Sequence, residues 1–117
     1  MASRKLPNYL RLHRKRTGFS EPEIAFLLGL HGAAQISRYE HFRAVPGLLT
    51  ALGYHVIFQT SPPTLFGGKY QRVERMVRRR AKRLLTKLAS QTPNRHTERK
   101  LGWLRVLIGE SELPKQP

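Results

Sequence analysis

The sequence predicts an all-α chain: a helical region over 6–66, a long basic amphipathic helix over 69–90, and a short helix with a loose tail over 91–117. Apolar residues recur at every third or fourth position along most of the chain, the period of an α-helix. Between those stretches fall glycines, prolines and capping residues, which start and stop helices. In the longest stretch the polar positions are filled almost entirely by Arg and Lys, giving a helix with one apolar and one basic side. At 117 residues the chain has room for one compact core with an appended helical segment.

The first helix is expected over Leu6 to Arg16, where Leu6, Tyr9, Leu10 and His13 keep helical spacing and Thr17-Gly18 supplies the stop. Ser20-Glu21-Pro22-Glu23 is a start signal: the serine hydroxyl can accept from the residue 23 N–H, Glu23 can reach back, and proline suits the first turn. The second helix follows as Glu21 to Leu28, with Ile24, Ala25, Leu27 and Leu28 on one side and Gly29 closing it. After Leu30, His31 and Gly32 comes a third helix, about 33–41, polar except for Ile36 and Tyr39 one turn apart. Leu48 to Phe58 reads as a helix, with a buried strand as the alternative for Tyr54 to Phe58 because of its aromatic and β-branched residues. Ser61-Pro62-Pro63-Thr64 reads as a turn and Gly67-Gly68 as a hinge before the basic helix. Thr92-Pro93-Asn94 breaks that helix, Thr97 to Ile108 forms the last one, and 109–117 is the loose tail.

Lys and Arg total 22 against 7 acidic residues, a net charge of +15. Like charges at that density repel, and an anionic partner relieves them. Nucleic acid fits best, since each cation placed on a phosphate releases a condensed counterion; an acidic membrane surface is the rival. Cysteine is absent, which excludes disulfides and thiolate metal sites. The basic start lacks the apolar run of a secretory signal, and no stretch reaches the roughly 20 apolar residues of a membrane span. A cytoplasmic, nucleoid-associated protein is the expectation. His13, His31, His41, His55 and His96 make no metal-site pattern, no cofactor is implied, and no nucleophile–base–acid arrangement or phosphate-cradling glycine loop suggests an enzyme or a small-molecule substrate.

Two short helices joined by a glycine-containing turn suit a major groove roughly 12 Å wide, the second helix entering and the first crossing the backbone. Phe19-Ser20-Glu21-Pro22-Glu23-Ile24-Ala25-Phe26-Leu27-Leu28-Gly29, followed by Ile36-Ser37-Arg38-Tyr39-Glu40, resembles the Cro and phage-repressor (Xre-type) helix-turn-helix family. The resemblance runs from about Leu6 to Phe66, roughly half the chain. It implies a five-helix DNA-binding domain over 6–66 that regulates transcription in a bacterium or phage by binding double-stranded DNA, typically as a homodimer. By matching positions, Ala33, Ala34, Ser37 and Arg38 fall where the family faces base edges, and Arg43 in the loop that commonly meets phosphate. Glu21 departs from the family's frequent phosphate-touching glutamine, and the turn around His31 and Gly32 is one residue longer.

Alanine can meet a thymine methyl but cannot hydrogen-bond, so Gln35, Ser37 and Arg38 are the candidates for polar readout. Arg38 leads, because bidentate contact with guanine is the commonest specific one; its structural alternative is a solvated side chain or an ion pair with Glu23 or Glu40. Arg14, Arg16, Arg43, Arg79 and Arg83 are the candidate phosphate contacts. The basic helix can track a phosphate backbone or be a wet face, and its apolar stripe Val73, Val77, Leu84 and Leu88 favours a folded-back core over a dimer seam. Trp103 reads as a packing anchor, or, if exposed, as a partner surface. Two rival functions remain open: a non-specific or RNA-binding accessory protein, and an antitoxin-like interaction module.

Overall fold

The computed structural model describes residues 5–109, and every regular element in that range is helical. In order they are α1 (Leu10–Thr17), α2 (Glu21–Leu27), α3 (Ala33–Glu40), α4 (Leu48–Phe58), α5 (Pro62–Leu65), α6 (Gly67–Ala89) and α7 (Arg95–Leu107). The strand alternative for Tyr54 to Phe58 is excluded by α4 itself. Tyr54, Ile57 and Phe58 pack on the core at helical spacing while Val56 lies outside, so the burial of the aromatic and β-branched residues is met on one face of a helix. No described helix is long and apolar enough to cross a membrane.

The chain divides inside α6, between Gln71 and Arg72, into two compact units. Each has its own apolar core, where length alone pointed to one. In the first unit the fully buried side chains are Leu10, Ile24, Ile36, Tyr54 and Leu65, one from each of α1 to α5. Burying each contributes about 1.5–3 kcal/mol, so no single helix holds the unit alone. α2 packs on α3, α1 on α3 and α4, and α4 on α5. Tyr54 stacks on Phe58 and meets Tyr39 edge-on, with ring centroids 5.7 and 6.4 Å apart.

Several boundaries differ from the expectation for stated reasons. The first helix begins at Leu10 rather than Leu6, because the residues before it are engaged elsewhere. Tyr9 N–H donates to the Leu65 carbonyl at 2.8 Å, the Leu6 carbonyl accepts from Gly68 N–H at 2.8 Å, and Asn8 Oδ1 accepts from Leu10 N–H. Pro62 and Pro63 were expected in a turn and instead open the one-turn α5, where a missing N–H costs nothing. Gly67-Gly68 is no hinge: both lie in α6, and a Cβ on Gly68 would sit 2.5 Å from the Leu6 carbonyl oxygen. α7 starts at Arg95, earlier than Thr97, because Asn94 Oδ1 accepts from the Thr97 N–H at 2.9 Å.

In the second unit the chain turns back on itself, and Ala81 and Leu88 of α6 pack with Leu104 of α7, flanked by Leu85, Leu101, Leu107 and Ile108. The basic helix from Arg72 onward and the terminal helix thus fall in one unit. Part of the apolar stripe folds back as expected, but Val73, Val77 and Leu84 stay about half exposed. The tail expected over 109–117 lies, beyond Gly109, outside the described residues.

Gly68→Ala is expected to destabilise the protein by about 2 kcal/mol in chemical denaturation, the reverse of the usual roughly 0.5–1 kcal/mol gain from Gly→Ala in a helix, because the added methyl meets backbone that cannot rotate away. A second outcome concerns His13, whose ring lies 5.7 Å from that of Phe58. Burial, helped by Arg16, lowers its pKa from the ordinary 6.5. The unfolded chain therefore takes up the proton first, and stability present above 6.5 is lost as pH falls through and below that value. Thermal midpoints measured between about pH 7 and 5 should decline, with a shallower slope in His13→Gln.

Candidate nucleic-acid interface

α2 is set by its first turn. Ser20 Oγ accepts from the Glu23 N–H at 3.2 Å, and Glu23 Oε1 accepts from the Ser20 N–H at 2.8 Å, a reciprocal cap that holds the Glu23 carboxyl below its usual range. The helix ends where Gly29 takes φ +72° and Leu30 N–H reaches back to the Ala25 carbonyl at 2.8 Å. Gly32 then leads into α3, whose first turn has neither a capping side chain nor an acidic residue.

Ile36, Tyr39 and Glu40 face inward from α3. The 100° step per residue therefore turns Ala34 and Arg38, one helical turn apart, fully outward. Ser37 is half-exposed on one flank of that pair and Gln35 on the other, while Ala33 lies toward the core edge. Arg38 makes no ion pair among the described residues, and both alternative partners are occupied: Glu23 by its cap and Glu40 by Arg14. His41 joins the same face, its Nδ1 lying 2.8 Å from the Ser37 carbonyl and 3.3 Å from Ser37 Oγ. His41 closes the expected 33–41 span of the third helix, and its position four after Ser37 sets it beside a candidate readout residue.

Past α3 the backbone reverses at Phe42, a non-glycine residue with φ +64°, and Arg43 N–H closes on the Arg38 carbonyl at 2.8 Å. Arg43 is exposed just beyond the end of α3, and Arg16 is exposed at the end of α1. Arg79 and Arg83 are exposed one turn apart on α6, in the second unit.

Arg14 is the correction. Its Nε and Nη2 donate to the two Glu40 carboxylate oxygens at 2.6 and 3.0 Å, and Nη1 donates to the Phe19 carbonyl at 3.1 Å. Its side chain is 15% exposed and that of Glu40 1%. An arginine so placed is part of the fold, tying α1 to the last turn of α3, and leaves the set of phosphate contacts; its guanidinium is held more firmly protonated by the Glu40 hydrogen bond. Tyr54 lies near this pair with its hydroxyl buried and without a protein partner, and burial pushes its pKa well up. Asn8 Nδ2 donates to the Tyr39 carbonyl at 2.9 Å, a second tie from the start of the chain to α3.

Among the described residues no three His, Asp or Glu side chains gather as metal ligands would. Comparison with models of known protein families, with curated proteins and with solved structures gives no match.

Arg14→Met leaves the Glu40 carboxylate buried and unpaired, so the expected loss in urea denaturation is about 3 kcal/mol or more. Adding Glu40→Gln should recover a sizeable part of it, since an amide tolerates the vacated site better than a charge.

Proposed function

We propose that the chain is a sequence-specific double-stranded DNA-binding transcriptional regulator of helix-turn-helix type, with α2 across the phosphate backbone and α3 in the major groove. The observation that carries the reading is the outward face of α3: Ala34, Ser37 and Arg38 stand clear of a helix pinned from behind, and Arg38 has no acidic partner among the described residues. Small residues beside a free guanidinium allow close approach and a bidentate contact with guanine O6 and N7. Arg16 and Arg43 supply backbone contacts, and Arg79 and Arg83 add phosphate affinity from the second unit. Glu21 repels phosphate and is assigned no contact.

A homodimer belongs to the same reading. α4 carries no charged residue, in a chain of net charge +15, and turns Leu48, Leu49, Leu52 and Val56 outward, Leu49 being 83% exposed. A contiguous uncharged apolar stripe is where two strongly basic copies can meet at the least electrostatic cost.

Selection from a pool of random duplexes at near-physiological salt should enrich a motif, and Arg38→Ala should cost about 1–3 kcal/mol and relax one position of it. Arg43→Ala should weaken all sequences alike and lower the salt slope by about one counterion. Absence of any enriched motif, with affinity merely falling steeply in salt for both variants, transfers the assignment to a non-specific nucleic-acid binder. In sedimentation equilibrium Leu49→Glu should shift the protein toward monomer; a wild type that is monomeric with and without DNA removes the dimer from the reading.

A further inference from the structure

Among the described residues the second unit is a two-helix hairpin, and two helices alone cannot cover their apolar surface. On α6 the buried stripe of Ala81 and Leu88 continues sideways into Val77 and Leu84, which remain 42% and 44% exposed, and into Met76. Between them and Leu104 and Leu107 of α7 runs an open groove of about 260 Å³. Trp103, four residues before Leu107 and 48% exposed, extends the apolar surface along α7. The floor is aliphatic, and a core built from two helices leaves such a side open where a third helix would pack.

The rim says what that third helix carries. Arg80 lines the groove; Lys87 follows two turns later on the same edge of α6, and Lys100 precedes Leu104 by one turn on α7. From Arg72 to Gly109 there are twelve Lys and Arg against two Glu, one of which, Glu74, already faces Arg78 at 3.6 Å. A second copy would bring the same uncompensated cations to the same rim. A flat anionic bilayer meets the charge but not the concavity. We infer that the groove between α6 and α7 docks an amphipathic helix of a partner protein, its apolar side seated on Val77, Leu84 and Leu104 and its glutamates or aspartates over Arg80, Lys87 and Lys100. The groove belongs to the second unit and α3 to the first, and the inference stands whether or not α3 reads DNA.

The test uses the full-length protein and a fluorescein-labelled peptide of roughly 18 residues, long enough to form a helix in the groove, with leucines at i, i+3, i+4 and i+7 and glutamates on both flanks. Anisotropy should show saturable binding, weakened at least tenfold by Leu84→Glu and by Arg80→Glu and unchanged by Lys82→Gln, which alters the opposite side of α6. Met76→Glu serves as the second apolar variant if circular dichroism shows that Leu84→Glu has lost helix. Equal binding of a scrambled peptide of the same composition overturns the proposal, because charge alone would then suffice. So does binding that neither apolar variant weakens, or no binding at all. Self-association in sedimentation equilibrium that Leu84→Glu abolishes assigns the groove to a second copy instead. A blue shift of Trp103 fluorescence on vesicles of mixed phosphatidylcholine and phosphatidylglycerol, without one on the peptide, assigns it to a lipid surface.

Discussion

Both oxygens of the Glu40 carboxylate are met by the guanidinium of Arg14, and the first unit is arranged around that contact. Glu40 closes α3, Arg14 lies in the middle of α1, and the pair is nearly sealed from water. Desolvating two charges offsets most of their attraction, so the pair adds little net stability over an apolar substitute. What it adds is direction. With Glu40 drawn to α1, and with Ile36 and Tyr39 in the core, the rotation of α3 about its axis is set, and Ala34 and Arg38 have only the outside left to them. The hydrogen bond from Asn8 to the Tyr39 carbonyl fixes the same turn from a second side. The exposed face of α3 is thus a consequence of buried polar contacts that do not themselves lie on it.

The acidic residues follow a similar economy. Every one in the described range serves a helix. Glu21 and Glu23 stand in the first turn of α2 and Glu98 in that of α7, where the helix dipole favours negative charge. Glu40 pairs with Arg14, and Glu74 faces Arg78 one turn on. None is placed to neutralise Arg16, Arg38, Arg43, Arg79 or Arg83, since no other ion pair occurs among the described residues. A chain of net charge +15 so organised keeps its cations open to an external anion and accepts the self-repulsion that follows.

Much of the helical organisation was legible because it is written locally. The Ser20–Glu23 cap, Gly29 and the Ile36–Tyr39 spacing place α2 and α3 within a residue, and α4 runs over its expected Leu48–Phe58. What escaped was non-local. Leu6 and Tyr9 fit a helical pattern, and nothing near them announces that Gly68 and Leu65 will claim their backbone groups. Gly67-Gly68 looks like a flexible joint to any local rule, yet Gly68 is where two segments approach too closely for a Cβ. Arg14 is chemically the same as its exposed neighbour Arg16, and only the arrival of Glu40, 26 residues later, separates a structural arginine from a candidate contact. The face of α3 was legible in outline, since alternation of anchors and small polar residues follows the helix period. The freedom of Arg38 was not, because it depends on where both possible acidic partners spend themselves.

Charge and apolar exposure pull against each other, and their balance bears on how the protein would assemble. Two copies brought together through α4 gain from burying Leu48, Leu49, Leu52 and Val56, and lose from concentrating their positive charge. The loss is electrostatic and falls wherever the cations are neutralised; the gain is not and stays. On the DNA-binding reading, a duplex lying against both copies would remove much of the repulsion while leaving the apolar contact intact. Association through α4 would then be tighter on DNA than off it, and by linkage DNA would be bound more tightly by the associated form, with the same coupling factor in both directions. Cooperativity of this kind needs no conformational change. It requires only that the cations and the apolar stripe be carried by different side chains, as they are where α4 is uncharged and Arg38 stands on α3.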